Sequence, residues 1–444
     1  MCLHDHHANA VQPPAAVARR NVLAGAAVLA GVSAAGVVGA PMAQAAPGEA
    51  PSAPRYPGRS PRPGALVITG GALVDPRSGH VTQDAVVVLD GGVVLAAGSR
   101  DATRAAVAKV SGRARTIEVF GKWIVPGLVD VHVHINALAD AKAVLRAGAT
   151  TVRSGSSTFY QDVALRPLAE WAPGLAPRMR AAGVFVSPEL GDTVLADPAL
   201  APLAALAGGV RSTSDLAYLT RVNLSRGVDV IKTRTNPRAG LAEQDPTELV
   251  YDQEQISAIV SAAGRSGVLC HAYSQAGIEG AVRAGVRSIE HGVFVGESTM
   301  DLMARRGTYF TPTTAAIAGL SRSTNPVLAA RGREYMPVLQ AAIREAHARG
   351  VTVVAGTDSF GTAVDPIGTE VRLLVEAGLT PLDALRGATV NAAGLLGWSK
   401  KVGRLAPGYH ADLVVVDGNP LQDGGALERV KLVVAQGAVV RNEL

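Results

Sequence analysis

Pro126-Gly127-Leu128-Val129-Asp130-Val131-His132-Val133-His134 is the stretch on which the reading of this chain turns. An apolar run opens after a Pro-Gly pair and stops abruptly at two histidines spaced i and i+2. Side chains alternate across a strand, so this spacing sets both imidazoles on one face. In a barrel of parallel strands that face points inward, and the C-terminal strand ends line the active site. Alone, His-x-His is weak evidence for a metal, so the reading depends on what the rest of the chain supplies.

Other apolar runs end on groups that could hold a cation. Gly227-Val228-Asp229-Val230-Ile231-Lys232 ends on a lysine, and Val353-Val354-Ala355-Gly356-Thr357-Asp358 on an aspartate. Val268-Leu269-Cys270-His271 and Val286-Arg287-Ser288-Ile289-Glu290-His291 end on histidines. Singly, each has a plain alternative: an exposed lysine, a satisfied core histidine, an N-cap aspartate. A lysine ammonium has donors only and cannot ligate a metal. Its carbamate, formed by addition of CO2, has two acceptor oxygens that can bridge two ions. Together the plain alternatives are strained. The chain has ten histidines, of which His4, His6 and His7 precede an N-terminal export-like run. Four of the other seven are His132, His134, His271 and His291, while His80, His347 and His410 read as turn or polar-helix residues.

Strands are predicted to end near His134, Arg153, Val184, Lys232, His271, His291, Phe310 and Asp358. Helix-like stretches separate most of them, including Glu254–Gly264 behind Asp252 as N-cap, and Gln275–Ala284. This alternation over residues 121–403 predicts an α/β fold, a (β/α)8 TIM barrel. Short β-rich runs punctuated by Gly70-Gly71 and Asp90-Gly91-Gly92 occupy 64–120, and the same texture returns over 404–444. They predict a small β-sandwich domain formed from both chain ends.

Residues 1–45 read as a twin-arginine-type signal peptide: Arg19-Arg20, an uncharged run rich in Ala, Gly and Val, then Ala43-Gln44-Ala45 as a cleavage pattern. A permanent anchor is the alternative; four glycines in the run and the cleavage pattern favour removal. Export to a periplasmic or secreted location without stable membrane insertion is therefore expected. Residues 46–63 hold six prolines and form a linker. The 444 residues are 48% hydrophobic and 18% charged, which excludes wholesale disorder. With 42 basic against 37 acidic residues, no long like-charge run and 4% aromatics, nucleic acid is not an expected partner. Cys2 and Cys270 make no disulfide framework, and Cys270 should point away from His271's face as a small buried hydrophobe.

The ordered set His132-x-His134, Lys232, His271, His291, Asp358 resembles the binuclear branch of the metal-dependent amidohydrolase superfamily, over nearly all of residues 64–444. Gly403-Arg404-Leu405-Ala406-Pro407-Gly408-Tyr409-His410-Ala411-Asp412-Leu413-Val414 looks like that family's return into its β domain. Within the superfamily the chain is most similar to the imidazolonepropionase-like group with Xaa-Pro dipeptidases and ochratoxin-hydrolysing amidases. The resemblance implies two divalent ions, zinc foremost. His132, His134 and Asp358 would hold the more buried ion, His271 and His291 the more exposed one, with carboxylated Lys232 between them. It implies hydrolysis of an amide or peptide bond in a small carboxylate-bearing substrate by attack of a metal-bridging hydroxide. Asp358 would act as the catalytic proton carrier, and the assembly would be a homo-oligomer. Asp130, on the same strand face as the histidines, is a candidate supporting partner.

The loops depart from relatives at Arg153-Ser154, Val186-Ser187-Pro188-Glu189 and Thr233-Arg234-Thr235-Asn236. Arg153 and Tyr273 are the favoured anchors for a substrate carboxylate. For Arg234 and Arg238 a solvated-loop role stands level with an anchoring one. A lactonase or esterase on the same site is the alternative chemistry. A catalytically silent barrel is a further alternative, which the complete ligand set disfavours.

Overall fold

A computed structural model describes residues 61–444, so the stretch read as a signal peptide and most of the stretch read as a linker lie outside the described residues. Five strands open the fold: β1 (Leu66–Val74), β2 (Val81–Asp90), β3 (Val93–Gly98), β4 (Arg115–Glu118) and β5 (Trp123–Pro126). Then come β6 (Leu128–His134), β7 (Ala149–Ser154), β8 (Arg178–Arg180) and β9 (Ile231–Arg234). They are followed by β10 (Val268–Ala272), β11 (Ser288–His291), β12 (Tyr309–Thr311) and β13 (Ser359–Phe360). Finally β14 (Leu413–Val416), β15 (Val430–Ala435) and β16 (Ala438–Asn442) close the chain.

Both chain ends build one β layer, as the sequence predicts, but as a single eight-stranded sheet where two facing sheets were expected. Its order is β16-β15-β14-β5-β1-β2-β3, with β4 beside β1. The reason is β5, which pairs parallel with β1 and antiparallel with β14, so hydrogen bonds run unbroken from one chain end to the other. Alternation then sorts the side chains. Leu413, Val415, Leu432 and Val434 pack with Leu66, Ile68, Val87 and Leu89, while Val414, Val416 and Val433 face the main core. The sheet thus extends past residue 120 to Pro126. Gly127 makes the passage into β6: its N–H donates to Asp412 O at 2.8 Å, and a Cβ there would stand 2.1 Å from Thr150 Oγ1.

Between these ends, short parallel strands alternate with helices in an α/β, TIM-barrel-like arrangement. They form two four-stranded sheets, β13-β6-β7-β8 and β12-β11-β10-β9, and not one closed sheet. Isolated bridges at Val186–Thr233 and Phe310–Val353 link the two. The third strand was expected to run to Val184, yet β8 stops at Arg180. Beyond it, side chains take the backbone N–H groups that a ladder would use. Asp229 accepts from Ala181, Asp162 from Ala182 and Gly183, and Asn223 from Val184. The eighth strand, expected to end at Asp358, is likewise replaced by irregular chain before β13. There Asp130 accepts from Thr357 N, and Asp358 has a left-handed backbone (φ 56°).

Two helices match their sequence signals closely. Gln253–Ala263 begins behind Asp252, whose carboxylate accepts from Gln255 N at 2.9 Å while the Gln255 side chain accepts from Asp252 N at 2.9 Å. This reciprocal cap satisfies two otherwise unpaired donors. The helix Gln275–Ala284 starts behind Ser274 and stops at Gly285, whose φ of 93° suits glycine. Apolar faces of these helices (Ile256, Ile259, Ile278, Val282) pack into the main core. The helices thereby hold the strand ends carrying Lys232, His271 and His291 in place.

Candidate metal centre

The structure brings all six expected ligands into one buried cluster. His132 and His134 leave β6 on the same face, as the i, i+2 spacing requires. Lys232 lies in β9, His271 in β10 and His291 at the end of β11. None of these side chains, nor Asp358, is more than 2% exposed. Asp358 Oδ1 lies 3.3 Å from His132 Nε2 and 3.1 Å from His134 Nε2. Lys232 Nζ lies 3.1 Å from His132 Nε2. His132 and His291 ring centroids are 5.5 Å apart, and those of His271 and His291 are 4.4 Å apart.

Ligand atoms of His132, His291 and Asp358 lie within 4.8 Å of one another, a spacing that one cation can satisfy. Outer partners fix which ring nitrogen each histidine presents. His134 Nδ1 faces Ser156 O at 3.1 Å, and His291 Nδ1 faces Thr313 Oγ1 at 2.7 Å, so both present Nε2. His271 is the reverse: its Nε2 donates to Pro237 O at 2.9 Å, leaving Nδ1 for the cluster. Carbonyls and hydroxyls in this role are the usual supports of metal-binding imidazoles. The backbone also makes room. A Cβ at Gly155 would stand 2.8 Å from His132 Cδ2 and 2.9 Å from His134 Cε1. His291 and Asp358 both adopt left-handed backbone, at φ 71° and 56°. Such strain in non-glycine residues gathers at functional sites.

Lys232 is fully buried, and among the described residues no carboxylate lies within ion-pair distance of its Nζ. The donor set of imidazoles, one carboxylate and that lysine fits divalent ions of zinc type.

The expected supporting role of Asp130 takes a specific form. It accepts from His132 N at 3.0 Å and from Thr357 Oγ1 at 2.7 Å, and burial pushes its carboxyl up to about 6. Cys270 is buried, as alternation predicts, and burial pushes its thiol up to about 12, unsuited to nucleophilic attack. Tyr273 stacks on His291, with ring centroids 5.0 Å apart and planes 9° from parallel. Tyr273 is itself only 2% exposed and packs against the His291 ring.

Arg153 corrects the sequence expectation. It is 2% exposed, and its guanidinium donates to Glu290 Oε1 at 2.8 Å, Ser288 Oγ at 2.9 Å and Val131 O at 2.6 Å. It is an internal ion-pair partner and not a substrate anchor. The solvated reading of Arg234 and Arg238 is also corrected: they are only 5% and 8% exposed. Both lie over the Phe185 ring, as does Lys232 Nζ, at 5.6, 5.9 and 5.7 Å from its centroid. Arg234 also pairs with Glu189 at 2.6 Å.

Sequence reasoning missed Glu290 and Thr313. The signal for Glu290 was a carboxylate inside the apolar run before His291; nothing local marked Thr313. A cavity of about 380 Å³ is lined by Glu189, Arg211, Arg234, Pro237 and Glu248 among others, and by none of the six cluster residues; Pro237 O accepts from His271 Nε2. Its size suits a small molecule.

Comparison with known proteins agrees with this geometry. The chain is 30% identical to ochratoxinase of Aspergillus niger over 225 residues, covering 48% of this chain. That match spans 46% of the relative's length, about half of it. A crystal structure of a Xaa-Pro dipeptidase with bound methionine superposes with a TM-score of 0.72 at 26% identity, covering 84% of this chain and 99% of the other. A putative prolidase from Bifidobacterium longum gives 0.73 at 26%, covering 85% and 95%. Residues 123–440 match the Amidohydrolase family, so the chain belongs to that family.

Proposed function

We propose that the chain hydrolyses an amide or peptide bond in a small carboxylate-bearing molecule: an N-acyl amino acid, an Xaa-Pro dipeptide or an ochratoxin-like amide. The observation that carries this reading is the buried convergence of His132, His134, Lys232, His271, His291 and Asp358. His132, His134 and Asp358 would hold an inner divalent ion, His271 and His291 an outer one, and carboxylated Lys232 would bridge them. When bound, such ions lower the pKa of water to about 7 and polarise the scissile carbonyl.

The chain's own residues supply the rest. Asp358, buried between two imidazoles, takes the proton released by the attacking water and returns it to the departing amine. Tyr273 forms a flat wall beside His291 against which the substrate is oriented. The cationic setting around Phe185 attracts a substrate carboxylate. Burial of the cluster strengthens each of these interactions by excluding bulk water.

The relatives named above support an amide substrate. The test is a hydrolysis panel on the zinc-loaded protein, comprising N-acyl phenylalanines, ochratoxin, Xaa-Pro dipeptides, and lactones as the competing class. Turnover of an amide that Asp358→Asn lowers by roughly 100-fold or more is expected. Lactone turnover with no amide turnover would overturn the amide reading.

We also propose export through the leader at residues 1–45 and assembly into a homo-oligomer. Among the described residues no helix is long and apolar enough to cross a membrane. Cell fractionation and sedimentation test these two points.

A further inference from the structure

Below His132 lies a buried chain of polar groups that the proposed reaction does not use. Glu290 Oε2 lies 2.7 Å from His132 Nδ1, and Glu290 Oε1 accepts from Arg153 Nη2 at 2.8 Å and from the Ser288 hydroxyl. Arg153 is fixed in turn by Val131 O and Ser288 Oγ. Glu290 and Arg153 are 0% and 2% exposed.

We propose that Arg153 and Glu290 form a positioning relay that fixes His132 with its proton on Nδ1 and its Nε2 lone pair aimed at the metal. A carboxylate flanked by a guanidinium and a hydroxyl can only accept from Nδ1. The opposite nitrogen of the same ring is the atom that meets Asp358 Oδ1 and Lys232 Nζ. The relay crosses three strands: Arg153 from β7, Glu290 from β11 and His132 from β6. It thus couples the ring's orientation to packing of the barrel interior. A carboxylate behind a metal-binding imidazole raises its basicity as well as orienting it. Arg153 keeps that carboxylate charged where water cannot.

The inference rests on the metal reading above, and the experiment separates the two. Three proteins are compared: wild type, Glu290→Gln, and the double variant Arg153→Met/Glu290→Leu. The double variant removes both charges together, so no lone buried charge is left to unfold the protein. Zinc affinity is measured by chelator competition on folded protein. The His132 tautomer is read by 15N NMR on metal-free protein, and metal-free stability by urea unfolding.

The double variant is expected to lose roughly 10- to 100-fold in zinc affinity and to show a mixture of His132 tautomers. Glu290→Gln, which keeps an acceptor oxygen but no charge, should fall between it and wild type. If zinc affinity and tautomer are unchanged while only metal-free stability moves, the pair is merely structural and the relay is overturned. If wild type binds no zinc, the metal reading itself fails, whatever the variants show. Should the double variant not fold, the affinity of Glu290→Gln against wild type decides: a fall supports the relay and equality overturns it.

Discussion

Thr357 donates its hydroxyl to Asp130 Oδ2 at 2.7 Å, tying the strand that carries His132 and His134 to the turn that carries Asp358. Asp130 also accepts from the backbone of Thr357 and of His132. One buried carboxylate thereby sets the spacing between the His132–His134 pair and Asp358, which lies more than two hundred residues further along the chain. Thr357→Val removes the hydroxyl while keeping the volume and leaves Asp130 short of a donor. It is expected to cost about 1–3 kcal/mol of stability and to lower zinc occupancy. Urea unfolding with elemental analysis checks it, and unchanged values for both would refute the tie.

Gly155 is predicted to tolerate no side chain. A Cβ there would press on the His132 and His134 rings at under 3 Å, and backbone and rings are both confined. Gly155→Ala should cost roughly 1–3 kcal/mol through overpacking and weaken metal binding more than a similar change on the barrel's outer surface. Isothermal titration with zinc distinguishes that outcome from a uniform loss of stability.

Metal removal should destabilise as well as inactivate. Ions held by six buried groups bind the folded chain alone, so free zinc at about 1,000 times its Kd adds about 4 kcal/mol of apparent stability. Chelator treatment is expected to lower Tm and abolish turnover, and added zinc should restore both. Turnover that persists with less than one metal per chain would contradict this.

Glu370 sets a pH dependence of its own. Burial pushes its carboxyl up to about 8, against the opposing hydrogen bonds from Ala315 N and Thr314 N. A carboxyl whose folded pKa lies above its unfolded value favours the folded state most below the unfolded value. That contribution is lost as pH rises through about 8. Glu370→Gln cannot ionise, so its stability relative to wild type should improve as the pH of metal-free unfolding experiments is raised from about 5 to 9. A constant difference across that range would show that Glu370 is not shifted upward.

The ligand set was legible because each member sits at the end of an apolar run, where alternation and strand direction fix which way a side chain faces. His132 and His134 are the clearest case: spacing by two residues dictates one face whatever surrounds the strand. The helices Gln253–Ala263 and Gln275–Ala284 were legible for a similar reason, since their caps are local. The third and eighth strands were not: side chains distant in sequence take backbone donors of the third, and in the eighth Asp130 takes Thr357 N although Val354 N and Asp358 N still bond neighbouring backbone. Asp162, Asn223, Asp229 and Asp130 take those backbone donors.

Arginine roles divided along the same line. Arg153 stands at a strand end beside the cluster in sequence terms, yet Glu290 claims it from another strand. Arg234 and Arg238 look like loop residues but are buried beside Phe185. The sequence by itself determined the family, the side chains that converge in the buried cluster and the alternating α/β order, because these depend on short-range periodicity and residue chemistry. Only the tertiary structure decided which carboxylate stands behind His132, which ring nitrogen each histidine presents and where the arginines point. Those choices depend on hydrogen bonds and ion pairs between residues remote in the chain, whose strength comes from burial that only the packed fold provides.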